Sequence, residues 1–455
     1  MTKKLVLNVV GLTQELLESG AMPNLQSYAA AQQQKHIRPA FPAVTLTAQA
    51  NMLMGTTPDQ HGAVGNGWYH RDLSEVWLWR QSIKLITGTG NGKSIFERWR
   101  EANSDPQQRQ SHQLFWWFNL PSDADYSITP RPTYFADGHK GPDIHAYPPQ
   151  LHEDVTSELG EFPLFSFWGP NANIKSTQWI IDAALLHLKK HPYGLHMSYL
   201  PHLDYDLQRY GANSAQARRA CSDLDKALAP LLQLDDTQVM VLSEYGIEDV
   251  DNCVLPNKIL NEAGLLQIHH AKNGSLLDPG NSRAFAVCDH QIAHVYVKDP
   301  ADIEQVRQLL SAVDGVESVQ ARQDIAELNH PRSGELIITA AQKSWFGYQY
   351  WLDHQAEPDF ARCVDIHRKP GYDPCELFLD PQIKFPKLKI AFTLLKKLVG
   401  MRYTMNVVPL DTSLVKGSHG RRPSRPELGP LVIAPAHLMP DGNVIDSTAV
   451  FEKLC

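Results

Sequence analysis

The chain has 455 residues, of which 43% are hydrophobic and 20% charged, with a formal net charge of −8. That length gives one large α/β domain or two ordinary ones with a full core, and the acidic balance argues against a nucleic-acid polymer as partner. Six widely spaced cysteines form no CxxC pair, so they read as reduced packing thiols in a cytoplasmic protein.

The opening MTKKLVLNVVGL has a short apolar run and no small-residue cleavage site after it, which predicts a buried first strand rather than a signal peptide. No apolar stretch approaches the roughly 18 residues of a membrane span. Helical periodicity follows in TQELLESGAMPNLQSYAAA. Apolar runs of strand character return at HMSYL before Pro201 and at VMVLS before Glu244, with helical segments at 177–190 and 214–232 between them. Strands alternating with helices predict a doubly wound, mainly parallel α/β sheet, whose ligands sit beyond the carboxyl ends of the strands.

Residues 70–170 are rich in Trp, Pro and Tyr and read as a pocket-shaping excursion. Within them Arg80 and the aromatics of FWWFN (115–119) are candidates to line a substrate pocket. Residues 262–345 alternate strand, helix and strand, which predicts a small α+β lobe inserted between a core of 1–261 and its return at 346–455. The basic, amphipathic stretch 388–402 reads as a packed helix with a solvated lysine face rather than a membrane-surface anchor.

The stretch FPAVTLTAQANMLMGTTPDQHGAVGNGWY (41–69) places Thr45 behind a proline and then returns through Gly55, Pro58, His61-Gly62, Asn66 and Gly67. A threonine hydroxyl is a poor nucleophile until a metal or base lowers its pKa. The segment resembles the nucleophile region of the type I phosphodiesterase/nucleotide pyrophosphatase family, in the alkaline phosphatase superfamily. Thr45, Gly55, Pro58, His61-Gly62, Asn66 and Trp68-Tyr69 fall on its pattern. The closing VKGSHG…VIAPAHLMPDGNVIDSTAVFEKLC is similar to the same family, as are LPHLDYDLQRYG and VMVLSEYG. The resemblance implies a metal-dependent phosphoric-ester hydrolase, with Thr45 as a covalently phosphorylated nucleophile and the Asn66 amide on a phosphoryl oxygen. Its substrate would be a small phosphorylated, nucleotide-like molecule. A phosphoryl transferase and a non-catalytic binding protein are the alternatives.

The family holds two zinc ions with six side chains besides the nucleophile. At those positions this chain has Asp204, Gln208, Glu244, Tyr245, His419 and Val10, so the divalent metal, zinc by resemblance, numbers one or two. Zinc favours His, Cys and carboxylate ligands, and Val10 offers none. An active enzyme is therefore expected either to run on one cation or to recruit new ligands. Asp365 and His367 of CVDIHRKPGYDP alternate onto one face if extended. Arg368 and Lys369 beside them could meet phosphate oxygens. CDHQIAH supplies Asp289, His290 and His294, with His290 placed over the substrate. His202 and Asp206, flanking Asp204, are further candidates.

Overall fold

A computed structural model describes residues 3–88, 92–136, 140–398, 401 and 403–455. The elements that matter for the site, in chain order, are β1 (Lys3–Val9), α1 (Pro23–Ala30), β2 (Gln33–Arg38), α2 (Thr45–Met54), β3 (Ser111–Leu114), β4 (Tyr126–Pro130), β5 (Ile144–Tyr147), α3 (Ile174–Lys190), β6 (Gly194–Leu200), α4 (His202–Tyr210), α5 (Ala215–Leu232) and β7 (Thr237–Leu242). After them come β8 (Ala284–Asp289), β9 (Ile292–Val297), α6 (Ile303–Ser311), β10 (Val316–Ala321), β11 (Leu336–Ala340), α7 (Pro386–Leu398), β12 (Leu431–Ala434) and β13 (Val444–Asp446).

The main sheet has the order β13-β2-β12-β7-β1-β6-β3-β4-β5. Strands β7, β1, β6, β3 and β4 run parallel, while β12 and β5 pair antiparallel on either side. The first strand is central because Leu5, Val6, Leu7 and Val9 are all buried, and a strand covered on both faces reads as a continuous apolar run. Helix α5 packs against α1, α3 and α4 on the sheet. Residues 70–170 are more than an excursion: they contribute β3, β4 and β5. These strands are too short, and too rich in His, Ser, Gln and Tyr, to show an apolar run in the sequence.

Helix α2 is buried at every residue from Thr45 to Met54, as a helix without a polar face must be. It stops at Gly55, whose φ of 69° caps it in the left-handed region while its N–H donates to the Asn51 carbonyl at 2.8 Å. Glycine takes that conformation without a Cβ clash.

The lobe is a second, antiparallel sheet, β8-β9-β11-β10. Phe285, Val287, Val295, Leu336 and Ile338 pack there with Val306 and Leu310 of α6. Asp289 pairs with Ile292, so β8 and β9 are joined by a two-residue turn, His290-Gln291. His290 has φ 60°, unusual for a residue with a side chain. Its turn is tied down: Gln291 N–H donates to the His419 carbonyl at 2.8 Å, and Phe346 N–H to the His290 carbonyl at 2.7 Å.

Helix α7 corrects the sequence reading. Phe385, Leu388, Phe392, Leu394 and Leu395 are exposed, and Ile390 and Thr393 are the half-buried side. The helix turns its apolar residues outward. Residues 399, 400 and 402 of the expected stretch lie outside the described residues.

Candidate active site

The carboxyl ends of β1, β6 and β7 converge on the first turn of α2. The Thr45 Oγ1 lies 3.1 Å from the Tyr245 hydroxyl. Tyr245 donates to Asp204 Oδ1 at 3.3 Å. A phenol has one proton, so with Tyr245 donating to Asp204, Thr45 is the donor to Tyr245. Asp204 stands in the first turn of α4, just past β6, and Glu244-Tyr245 just past β7. Asn66 secures the other side of the helix start: its Oδ1 accepts the Leu46 N–H at 3.0 Å, and its Nδ2 donates to Asp289 Oδ1 at 2.9 Å. The second Nδ2 proton is left for another acceptor.

Two carboxyl groups are buried beside Thr45, and both are met by neutral donors. Asn8 Nδ2 and Gln49 Nε2 each approach Glu244 Oε1 at 2.5 Å, while Glu244 Oε2 is buried without a partner. Gln208 Nε2 donates to Asp204 Oδ2 at 2.7 Å, and the Tyr372 hydroxyl donates to Gln208 Oε1 at 2.8 Å. Burial pushes Asp204 up to about 7 against the Gln208 and Tyr245 hydrogen bonds, and pushes Glu244 up to about 8 against those from Gln49 and Asn8. Amide and phenol dipoles therefore stand where full countercharge would otherwise be needed.

Two histidines present the opposite character. His419 Nδ1 is bonded to the Ala43 carbonyl at 2.7 Å, which fixes the proton on Nδ1 and leaves Nε2 an acceptor, 4.0 Å from Asp204 Oδ1. His290 Nδ1 is bonded to Asp289 at 2.8 Å, and its Nε2 is buried with no partner. The two rings lie 3.7 Å apart between centroids, with Tyr245 stacked on His419 and Tyr372 on His290. Burial holds both imidazoles well below their ordinary pKa, in the neutral form.

Other expected site residues lie outside this network. Val10 is a buried alkyl group of the sheet core. His367 turns Nδ1 to the Leu78 carbonyl at 3.3 Å, and the Asp365 N–H donates to Glu376, so both face away from Thr45, Asp204 and His419 in their hydrogen bonding. The 363–374 loop does not run extended, so its alternating residues do not share a face. Arg368 pairs with Asp359 at 2.6 Å over the Phe360 ring. Lys369 is buried between Asp373 and Glu376, each at 2.7 Å. Arg80 is exposed above the Trp77 ring. Asp206 pairs with Arg209, His202 is buried with neither ring nitrogen bonded, and His294 holds the Val64 carbonyl and the Gly334 N–H. From FWWFN, Trp117 reaches the site's edge, its backbone N–H donating to Gln49 Oε1 at 2.7 Å and its ring 5.2 Å from Trp79.

The sequence reading missed Asn8, Gln49, Tyr199 and Tyr372. Gln49 was accessible, one helical turn after Thr45 and on the same face. Tyr199, the penultimate residue of β6, is buried beside Thr45, and burial holds its hydroxyl well above the ordinary phenol pKa. Tyr372 comes from a distant loop, and no local pattern marks it. A second cluster was also missed. His112, His187 and His196 are buried with nitrogens within 4.8 Å of one another, close enough to hold a metal ion. It lies at the amino ends of β3 and β6, where His112 pairs with His196, at the opposite end of the strands from Thr45.

A family model described as type I phosphodiesterase / nucleotide pyrophosphatase matches residues 4–373. No curated protein matches the chain by sequence. Among solved structures, the fold is similar to phosphonoacetate hydrolase from Sinorhizobium meliloti 1021 in complex with phosphonoformate, with a TM-score of 0.60 at 13% identity, covering 99% of this chain and 94% of that one. It is similar also to murine ectonucleotide pyrophosphatase / phosphodiesterase 5 in an inactive form with AMP, with a TM-score of 0.57 at 12% identity, covering 100% and 94%. The human form of that protein gives a TM-score of 0.58 at 12% identity over the same shares. The chain belongs to the type I phosphodiesterase / nucleotide pyrophosphatase family of the alkaline phosphatase superfamily, and it is a phosphodiesterase-type hydrolase.

Proposed function

We propose that the chain hydrolyses a small phosphodiester or nucleotide-like phosphoric ester through a phospho-Thr45 intermediate, with one divalent cation. The observation that carries this reading is the Thr45 hydroxyl, fixed at the start of a buried helix and bonded to Tyr245 at 3.1 Å. The chain Thr45 to Tyr245 to Asp204 gives the hydroxyl proton a path away from Oγ1. The spare Asn66 Nδ2 proton would meet a phosphoryl oxygen. Trp79, Trp117 and Tyr372 pack together beside the site and would stack on the organic group of the ester.

The donors favour one cation over two, and those that would hold it must draw together on binding, because among the described residues only His112, His187 and His196 already lie within ligating distance of one another. Asp204, His419 and His290 would hold it: the two histidines offer unprotonated Nε2 atoms, and Asp289 behind His290 Nδ1 is the carboxylate partner a ligating histidine commonly has. When bound, the cation supplies Lewis-acid neutralisation of the phosphoryl oxygens. A second ion would need Val10, which has no donor atom. It would also need Gln208, whose amide is engaged with Asp204 and Tyr372, which leaves Glu244 Oε2, buried without a partner, as its one free donor. Zinc suits a His and carboxylate set. The six cysteines, all unpaired, support a reducing compartment such as the cytoplasm.

Thr45 is 4% exposed, so substrate entry requires the surrounding side chains to open. The test is hydrolysis of bis(4-nitrophenyl) phosphate and 4-nitrophenyl phosphate by the native chain and by Thr45→Ala, with intact-mass detection of a phosphorylated Thr45 after rapid acid quench. Turnover without any Thr45 adduct, and retained in Thr45→Ala, would refute the reading. Transfer to an added alcohol in preference to water would make the chain a transferase acting through the same intermediate.

A further inference from the structure

Helix α7 has its faces reversed relative to a packed surface helix, which buries its apolar stripe and shows a polar one. Phe385, Leu388, Phe392 and Leu395 follow one another at spacings of three, four and three, so they share one side of the helix. They are 70%, 54%, 60% and 52% exposed. The side toward the protein is formed by Pro386, Ile390 and Thr393, which are only half-buried. The apolar stripe is therefore not the helix's means of attachment to the fold.

Charge identifies what would cover it. Between Asp380 and Asp411 the sequence contains Lys384, Lys387, Lys389, Lys396, Lys397 and Arg402 and not one Asp or Glu, in a chain whose net charge is −8. On the helix, Lys387 flanks the stripe on one side, with Lys389 and Lys396 on the other. Lysine stems reach past such a stripe and carry their ammonium groups to the headgroup level. At thirteen residues the helix is about 20 Å long, too short for the roughly 30 Å hydrocarbon layer, and no helix among the described residues is long and apolar enough to cross a membrane.

We propose that α7 is an interfacial anchor that lays the enzyme on an anionic lipid surface, with Phe385, Leu388, Phe392 and Leu395 entering the headgroup–acyl boundary and the lysines meeting lipid phosphates. A second copy of the chain is a poorer occupant, because pairing two such helices would face lysines with lysines.

The test is co-sedimentation of the full chain with vesicles of phosphatidylcholine containing 30% phosphatidylglycerol and with vesicles of phosphatidylcholine alone. The expected result is at least tenfold stronger binding to the anionic vesicles, weakened at least tenfold by 0.5 M NaCl. Leu388→Asp/Phe392→Asp should abolish binding to both. Lys384→Gln/Lys387→Gln/Lys396→Gln should remove only the anionic preference. Both variants change exposed residues outside the Thr45 centre, so the melting temperature should be unchanged and turnover of a soluble aryl ester should stay within twofold of native. Absence of binding by the native chain, or equal binding by the Leu388/Phe392 variant, would overturn the proposal. So would concentration-dependent dimerisation that the same variant removes without any lipid binding. None of these outcomes depends on whether Thr45 is the nucleophile.

Discussion

The Tyr245 hydroxyl stands 3.1 Å from Thr45 Oγ1 and 3.3 Å from Asp204 Oδ1, joining the residue that starts α2 to a carboxylate in the first turn of α4. A tyrosine at this position is a weak ligand for zinc but a good bridge between a hydroxyl and a carboxylate. Tyr245→Phe keeps the stack on His419 and removes both hydrogen bonds. We expect kcat/KM for an aryl phosphodiester to fall roughly 10- to 100-fold, the range of a hydrogen bond involving a charged group, with little change in thermal stability. An unaltered kcat/KM would remove Tyr245 from the chemistry.

Thr45 and Thr47 are to be separated by substitution. Thr47 Oγ1 donates to the Ala63 carbonyl at 3.0 Å, so its hydroxyl holds the returning loop. Thr45→Ala is expected to lower turnover at least ~10³-fold while melting normally. Thr47→Ala is expected to cost about 1 kcal/mol of stability and to leave turnover nearly intact. Urea unfolding and steady-state kinetics on both variants decide it, and the reverse pattern would move the nucleophile to Thr47.

Metal content checks the one-cation reading. Dialysed protein reloaded with zinc should hold one tightly bound ion that is lost in Asp204→Ala, His419→Ala and His290→Ala. An ion in the distant His112 cluster would instead be lost in His187→Ala, with turnover preserved. Retention of the ion in all three of the first variants would sink the assignment. Elemental analysis reads the outcome directly.

Lys369 illustrates a charge that belongs to stability. Burial opposes its charged form, but Asp373 and Glu376 raise its pKa above the ordinary lysine range. Lys369→Met leaves two buried carboxylates without their cation, a loss of about 3–5 kcal/mol by analogy with broken buried ion pairs. The folded fraction should hydrolyse ester normally. A stable variant with impaired KM would restore Lys369 to substrate binding.

The histidine cluster should make the fold acid-sensitive. Burial lowers His187 to about 2 and His196 to about 3, and holds His112 well below its ordinary value. The neighbouring cations Lys190 and Lys3 press in the same direction, while Asp154 opposes at His191. In the unfolded chain these imidazoles protonate near 6.5. The unfolded state then binds more protons than the folded one, so stability is full above about pH 6.5 and falls as pH drops toward 3. Each histidine would cost about 2 kcal/mol by pH 5. Metal-free protein should melt markedly lower at pH 5 than at pH 7.5, and His187→Gln should flatten that dependence. A flat native profile would mean that the cluster takes up protons in the folded state.

Much of the architecture was legible in the chain itself. The continuous apolar runs of β1, β6 and β7, and the helical periods between them, specify a parallel sheet through local burial alone. Such a sheet points to the residues after its strands as the place for a ligand, and it was the resemblance to the family's motifs that singled out Thr45, Asn66, Asp204, Glu244 and His419 without coordinates. The polar, short strands β3 to β5 were not legible, because their place at the side of the sheet depends on neighbours rather than on their own pattern.

What only the tertiary structure decided is where side-chain atoms go once the strands have met. His367 and His290 look alike in the sequence, each a histidine after an aspartate-bearing turn. The β8–β9 turn, with His290 at φ 60°, carries one imidazole onto His419, and the packing of Lys369 against Asp373 and Glu376 ties the other loop elsewhere. The same holds for α7, where periodicity shows an apolar stripe but not which side the protein occupies. The sequence by itself determined the sheet and the absence of a donor atom at Val10. Long-range packing determined the partners, because hydrogen bonds between residues such as Thr45 and Tyr245, or Gln208 and Tyr372, close only after the chain has folded.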